Sequence, residues 1–312
     1  MRKSYRELTE EIKTDGERLK LIAALGSSDD LAYHYTLISE DWAAGGKLLL
    51  ENSFDRHGEA GIVFLLERLR AFGTASKTGT SSEKNAAAGT AVGSGAGGEI
   101  STDTLGAKKQ QEDAGQIRQR NGEQDCRRNS EQDCRKGRET VYAKGSESAA
   151  RLYIDTAYLA AKILSQLRHR DFYAARAKEL AALLTARWEI SDIALRRKQI
   201  IALGWIGSES EINLLIDSMQ SDSDALCRAW AAAALMQLSF HAVDAAFLRE
   251  RTKTAFAAAI QKEGDLNAAG IMIEAAQTLF GKRWISAAAA EAAESESIEK
   301  ARKSALRFLG KA

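Results

Sequence analysis

A glycine-rich run, Gly204-Trp205-Ile206-Gly207-Ser208, has residue types that cradle phosphate in nucleotide-binding loops. Such a loop follows a strand, opens a helix and, in the P-loop form, ends in Lys-Ser or Lys-Thr. Here the preceding residues have helical periodicity and no such pair follows. The run therefore predicts a corner between two helices. Glycine would take the left-handed C-cap conformation there, and Ser208 would cap the next helix together with Glu211.

Cysteine and histidine do not form a metal-binding pattern. Cys126 and Cys134 lie eight residues apart in a near-duplicated polar segment, whereas structural zinc sites use four ligands in closely spaced pairs. Cys227 is expected in the core. None of the histidines lies in a metal-binding motif, and they are far apart in sequence: His34, His57, His169 and His241. The sequence thus predicts no metal, no cofactor and no catalytic set, and residues 55–59 are interpreted as a polar loop with an acidic helix start.

Composition and charge narrow the expected partners. The 312 residues include 44 basic and 43 acidic side chains, and a net charge of +1 gives no general field for nucleic acid or anionic lipid. No run approaches the ~18 apolar residues of a membrane helix, and the charged first residues do not suit a secretion signal. Three cysteines, an odd number, disfavour a disulfide framework. We therefore expect a cytoplasmic protein whose partner is neither a membrane nor a nucleic acid.

Residues 73–148 differ in composition from the rest of the chain. They hold 12 of the 24 glycines and no Phe, Trp or Met, so they cannot bury enough apolar surface to offset the entropy of ordering. We expect a disordered insert in this stretch. Residues 1–72 and 149–312 would then form one helical fold, which the complete absence of proline also favours.

Apolar residues recur with helical spacing on both sides of the insert. Ser4 and Glu7 form a capping-box pattern before the first helix, and a last helix is predicted from Ser286 to Leu309. Stripes with i, i+3, i+4, i+7 spacing comprise Ile62, Leu65, Leu66 and Leu69; Tyr153, Ala157, Ala160, Ala161 and Leu164; and Ile212, Leu215, Ile216 and Met219.

A nine-residue pattern, R-x-K-x-I-x-A-L-G, occurs twice, at Arg18–Gly26 and Arg196–Gly204. A third copy begins at Arg228, 32 residues after the second, and has Met236 in place of glycine. Each copy is followed by a corner and a second apolar helix in the same register. Because neither helix can bury its apolar face alone, stacked copies would form a continuous core.

The segment from Ala194 to Met219, with its continuation to Leu238, resembles the HEAT-repeat family and within it the short HEAT-like repeats of bilin lyases. Residues 15–38 resemble it less closely, and residues 151–186 and 243–309 share only the period. The resemblance implies an all-α fold, a right-handed α-solenoid of stacked helical hairpins. It also implies protein binding as the usual role, with enzymes as a minority.

In HEAT repeats, acids and bases form a ladder along the stack, and the resemblance assigns that role to Asp192, Arg196, Asp224 and Arg228. Arg197 and Lys198 have no counterpart in the next copy, so they are expected to be solvated or to face a ligand. The tryptophans lie on the flank of the core stripe, where they would either pack between repeats or form an aromatic patch for a partner. The candidate partner-binding residues are Trp188, Arg197, Lys198, Trp205, Trp230 and Trp284.

Two function classes follow. The first is a non-enzymatic scaffold that binds another protein through its second helices, in a narrower version a bacterial regulator or a toxin-masking immunity protein. The second is a HEAT-like enzyme, either a bilin lyase or a DNA glycosylase in which Trp, Asp and Arg surround a flipped base. The sequence favours the first, because near-zero net charge gives no support to a DNA-binding face.

Overall fold

The computed structural model describes residues 2–78 and 147–310, and within them there are helices and no strands. The helices are α1 (Tyr5–Glu11), α2 (Asp15–Gly26), α3 (Leu31–Ala43), α4 (Gly58–Thr78), α5 (147–166), α6 (Tyr173–Thr185), α7 (Ile193–Ile206), α8 (Ile212–Ser221), α9 (Ala225–Leu238), α10 (Ala245–Lys262), α11 (Leu266–Phe280), α12 (Ala287–Glu291) and α13 (Ser295–Leu309). Two 3-10 helices, Leu50–His57 and Glu209–Glu211, precede α4 and α8. The predicted all-α fold is confirmed.

The chain divides into two compact units, residues 1–73 with 151–312, and residues 74–150. Of the second unit, the described residues are the last turn of α4 and the first turn of α5. The predicted insert boundaries at 73 and 148 therefore fall within helices. Cys126 and Cys134 lie outside the described residues, and the core, grooves and ion pairs below all belong to the first unit.

Side-chain caps explain where many of the helices begin. The Ser4–Glu7 capping box is present at α1, and Thr14 with Glu17 forms a second one at α2. An aspartate side chain accepts a backbone N–H at the start of five further helices, satisfying one of the unpaired donors there. These aspartates are Asp30, Asp192, Asp224, Asp244 and Asp265.

The predicted apolar stripes form the core. All four residues of the α4 stripe are fully buried, as are the α5 stripe and three of the four α8 positions, with Ile216 half-buried. The helices pack in two layers. In one, α7 packs on α9 and α9 on α11; in the other, α8 packs on α10 and α10 on α13. Successive hairpins therefore bury one another's apolar faces, as the repeat pattern predicts.

Two local predictions need correction. The single last helix predicted from Ser286 to Leu309 is broken between α12 and α13, where Ala293 has φ 48°. The loop predicted at the start of residues 55–59 is instead the end of a 3-10 helix that runs to His57. The predicted acidic helix start is present, because α4 begins at Gly58 with Glu59 in its first turn.

Candidate functional site

Two arginines link one repeat to the next. Arg196 in α7 donates to both oxygens of Asp222, at 3.1 and 2.9 Å. Arg228 in α9 donates to both oxygens of Glu263, at 2.7 and 2.8 Å. Asp222 and Glu263 occupy equivalent positions in successive repeats. Each lies two residues before the aspartate that caps the first helix of the next repeat, which is Asp224 for α9 and Asp265 for α11. These bidentate pairs, which we call the Arg–acid rungs, are the planar pairing that guanidinium and carboxylate groups favour.

The arginine of each rung also donates to backbone carbonyl groups in the segment that precedes its own helix. Arg196 donates to the carbonyls of Ile190 and Ser191, and Arg228 donates to the carbonyls of Asp222 and Ser223. The hydrogen bond with the acid raises the pKa of both guanidinium groups. Burial acts to raise the pKa of Glu263, but hydrogen bonds from Arg228 and the backbone outweigh it and leave that pKa lowered. The pKa shifts of Arg196, Arg228 and Glu263 all favour their charged forms, and the rungs fix the geometry of the corners that they join.

The other predicted ladder residues lie beside these rungs. Asp192 caps α7 and has Arg151 at 3.4 Å. Asp224 caps α9 and receives both Nε and Nη2 of Arg197 at 3.0 Å. Asp192 and Asp224 therefore each pair with an arginine of a preceding helix, Arg151 and Arg197 respectively. The spacing within the sequence suggested a different pairing, with the arginine four residues later in the same helix.

Arg197 and Lys198 differ from the expectation that they stand in solvent. Arg197 pairs with Asp224, and Lys198 pairs with the buried carboxylate of Asp155 in α5. Because neighbouring repeats bring acids 27 and 43 residues away into reach, both cations form ion pairs within the protein, with side chains that are 32% and 42% exposed. Contact of either residue with a partner remains a prediction.

The glycine-rich run is a helix corner, but its glycines serve packing. Gly207 ends α7 with φ −65°, so the predicted left-handed cap is wrong. Gly204 lies within α7, and a Cβ there would stand 2.8 Å from Cα of Ala234 in α9. Ser208 and Glu211 do form the expected capping box, around the short 3-10 turn that leads into α8.

All five tryptophans are half-buried and pack against the core: Trp42, Trp188, Trp205, Trp230 and Trp284. The ring of Trp205 lies 5.0 Å from that of Tyr158, and the ring of Trp284 lies 5.8 Å from that of Phe308. These contacts fit the packing alternative. The half-exposed ring edges leave partner contact by Trp188, Trp205, Trp230 and Trp284 as a prediction.

An open groove of about 610 Å³ runs along α6, and we call it the α6 groove. Its α6 wall contains Ala174, Ala177, Lys178, Ala181 and Ala182, and the opposite wall contains Ile206, Gly207, Ser208, Glu211 and His241. The alanines make a smooth apolar strip, since they recur on one face of the helix. Ala174 and Ala182 are exposed, whereas Ala177 and Ala181 are buried.

Some polar groups of the α6 groove are held by hydrogen bonds, whereas Nδ1 of His241 is buried and has no hydrogen-bond partner among the described residues. The carboxylate of Glu211 accepts from the Ser208 backbone and hydroxyl, at 2.7 and 2.9 Å. Nε2 of His241 donates to the carbonyl of Gly204 at 3.0 Å, and burial lowers the pKa of this imidazole. Lys178 is exposed and makes no ion pair with the described residues.

Two histidines far apart in sequence meet near the start of α4. Nδ1 of His34 lies 2.9 Å from Nε2 of His57, and Nε2 of His34 lies 3.0 Å from the carbonyl oxygen of Leu50. Because only an N–H can pair with the carbonyl, Nδ1 of His34 accepts from His57. No group of three metal-binding side chains occurs in the described parts of the chain, and this pair is a packing contact against Phe54.

The α6 groove was missed by sequence reasoning. The run YAARAKELAALLT has alanine at three- and four-residue intervals. This spacing was the sequence signal from which the apolar strip could have been found. Alanine suits both a core and a surface, so periodicity alone could not show that this strip is open.

Stacked hairpins joined by Arg–acid rungs define a helical-repeat protein. The family model described as HEAT repeats matches residues 153–236, from within α5 to within α9. This confirms the HEAT-repeat resemblance over that segment, which includes α6 and most of α5, although these helices share only the period of the repeats in their sequence. The likeness to bilin-lyase repeats stays a prediction.

No curated protein and no solved structure matches the chain significantly. Among residues 2–78 and 147–310, no helix is long and apolar enough to cross a membrane.

Proposed function

We propose that this HEAT-repeat chain is a non-enzymatic scaffold that binds another protein, and that the α6 groove receives an amphipathic helix of the partner. The α6 groove carries the proposal. Its apolar strip extends from Ala174 to Thr185, which is about 16 Å of helix at 1.5 Å per residue. A partner helix of about three turns covers that length, and small residues let two helix backbones approach closely. Recognition of an apolar helix face by a groove is a common mode of peptide binding.

Charge favours a partner helix with acidic residues beside its apolar face. Lys178 projects from the strip without an ion pair to any described residue, whereas the carboxylate of Glu211 is held in place by its capping hydrogen bonds. A partner carboxylate beside Lys178 would therefore meet an ammonium that no described acid has already paired. Such a rim contact contributes mainly to the rate and specificity of association.

Affinity capture from native lysate with crosslinking tests the proposal. Wild type is compared with Ala182→Arg, which places a long cation in the groove, and with Ala175→Arg, on an exposed α6 position outside the groove lining. We expect wild type and Ala175→Arg to retain the same protein in stoichiometric amount, and Ala182→Arg to lose it. Circular dichroism and thermal melting would establish that all three proteins are folded.

Two outcomes would count against the proposal. One is the absence of a stoichiometric protein partner at any salt concentration, and the other is equal capture by Ala182→Arg and wild type. The narrower role, a bacterial regulator or an immunity protein, rests on fold analogy alone. The identity of the captured protein would decide it.

The tryptophan and cation candidates belong to the same proposal as secondary contacts: Trp188, Arg197, Lys198, Trp205, Trp230 and Trp284. Arg197→Ala and Trp205→Ala distinguish the two roles. Lost stability identifies packing, and lost capture with unchanged stability identifies recognition.

A further inference from the structure

A second, smaller pocket lies away from the α6 groove. It has a volume of about 110 Å³ and is built by the end of α3, the first 3-10 helix, α5 and α7. We call it the Glu51 pocket. Its lining includes Trp42, Glu51, Asp155, Tyr158, Lys162 and Lys198.

Two of its four charged side chains satisfy each other. The carboxylate of Asp155 is buried and pairs with the ammonium of Lys198. The same ammonium lies 5.8 Å from the centre of the Tyr158 ring, and that ring contacts Trp205 at 5.0 Å. This side of the pocket is therefore a fixed wall with no unmet charge.

The other two charges have no partner in the part of the chain that the structure describes. Oε2 of Glu51 is buried there and accepts no hydrogen bond from a described residue. Lys162 is half-buried and makes no ion pair with the described residues. A carboxylate oxygen removed from water without a donor costs free energy, so a ligand that supplies the donor recovers that cost.

The charge pattern selects the class of ligand. An isolated cation would be attracted by Glu51 but repelled by Lys162. An isolated anion would be attracted by Lys162 but repelled by Glu51. A molecule that carries both an ammonium and a carboxylate satisfies both side chains, and the four charges of the pocket sum to zero. A liquid water molecule occupies about 30 Å³, so a pocket of about 110 Å³ limits the ligand to a small one.

We propose that the Glu51 pocket binds a free α-amino acid with a small side chain. The α-ammonium donates to Glu51, the α-carboxylate accepts from Lys162, and the side chain packs against the rings of Trp42 and Tyr158. This binding is independent of the α6 groove, because none of the six residues named for the Glu51 pocket lines that groove.

The test titrates the full chain singly with glycine, alanine, serine and threonine. Calorimetry measures the stoichiometry and the affinity. We expect saturable one-to-one binding of at least one of the four, with a rise in thermal stability as ligand is added. Glu51→Gln and Lys162→Gln should each weaken it about tenfold or more, as expected for loss of a hydrogen bond to a charged group.

Matched controls are Glu67→Gln and Lys303→Gln, which change exposed residues outside the pocket and should leave the affinity unchanged. Alaninamide lacks the carboxylate and N-acetylalanine lacks the ammonium, so each should bind at least about tenfold more weakly than alanine. Absence of saturable binding for all four amino acids overturns the proposal. So does binding that folded Glu51→Gln and Lys162→Gln proteins retain, or equal binding of alaninamide.

Discussion

Two copies of one nine-residue pattern, Arg18–Gly26 and Arg196–Gly204, end in glycines with the same role. A Cβ at Gly26 would stand 2.8 Å from Cβ of Ser53, and one at Gly204 would stand 2.8 Å from Cα of Ala234. In both places glycine permits close approach of a neighbouring segment. That segment is a 3-10 helix in the first copy and α9 in the second.

The arginines of the two copies differ. Arg18 pairs with Asp15 of its own helix at 3.3 Å, whereas Arg196 forms a bidentate pair with Asp222 of the next repeat. The pattern therefore specifies a helix and a close contact at its glycine. An Arg–acid rung also needs an acidic residue just before the first helix of the next repeat. Regular stacking in residues 191–265 supplies that acid, and the N-terminal region is stabilised by its His34–Phe54–His57 ring cluster instead.

The largest expected difference is between Arg228→Ala and Arg18→Ala. The side chain of Glu263 is 1% exposed, so removal of Arg228 leaves a buried carboxylate without its cation. We expect Arg228→Ala to lower the free energy of unfolding by about 3 kcal/mol. Arg18→Ala should change it by less than about 0.5 kcal/mol, since Asp15 is exposed. Urea denaturation of both variants measures this, and equal losses would refute the distinction between the copies.

Substitution of the pattern glycines should have a smaller effect. Gly204→Ala forces α7 away from the backbone of α9, and we expect a loss of about 2 kcal/mol despite the better helix propensity of alanine. Gly26→Ala should lose a comparable amount, because besides the flexible Arg56 side chain its Cβ would meet Cβ and the carbonyl oxygen of Ser53 at 2.8 and 3.0 Å.

Gly16→Ala is the matched control for these glycines. The nearest atom to a Cβ at Gly16 is 3.9 Å away, so the variant should be neutral or stabilised by up to about 1 kcal/mol. Thermal and urea unfolding give the order of stability of the three variants. A Gly204→Ala protein as stable as Gly16→Ala would disprove the close-packing role of Gly204.

The two regions should also differ in how much stability they lose as the pH falls. Burial lowers the pKa of His34 to about 4, while an unfolded histidine titrates near pH 6.5. The unfolded chain therefore binds a proton before the folded one does, and stability falls as the pH drops from about 6.5 to 4, by up to about 1.4 kcal/mol per pH unit. Glu263 has a lowered pKa despite its burial, so its contribution is lost below its ordinary value of 4.5.

Hydrogen exchange, corrected for the intrinsic rate at each pH, checks this difference. Amides of α2–α4 should lose more protection between pH 6.5 and 5 than those of α7–α11, because burial lowers the pKa of both His34 and His57 in the first region and of His241 alone in the second. Below about pH 4.5, α7–α11 should lose further protection as Glu263 is protonated. His169→Gln, at an exposed histidine, should leave both profiles unchanged. Equal loss of protection in both regions between pH 6.5 and 5 would contradict the assignment.

Periodicity predicted what depends on local spacing. The buried stripes, the Ser4–Glu7 cap and the helix–corner–helix unit all follow from residues within one or two helical turns. The pairing of Arg197 with Asp224 does not, because it joins charges 27 residues apart that only the stack brings together. The break at Ala293 also escaped prediction, since alanine is a strong helix former and only the local positive φ marks the end.

The candidate site was the less predictable part. Tryptophan and arginine attracted attention as typical hot-spot residues, yet Trp205 stacks on Tyr158 and Arg197 is held in an ion pair. The α6 groove is made of alanine and helix-corner residues, which carry no such signature. Its existence depends on how far apart α6 and the α7–α8 corner stand.

Site-specific photo-crosslinking tests the central claim, that a protein partner occupies the α6 groove, most directly. A photoreactive amino acid replaces Ala182 in the groove, or Ala175 on the same helix outside it, and the full chain is irradiated in native lysate. The account predicts a discrete crosslinked protein at position 182 that wild-type competitor suppresses, and little or none at position 175. Equal crosslinking at the two positions, or none at position 182, would contradict it.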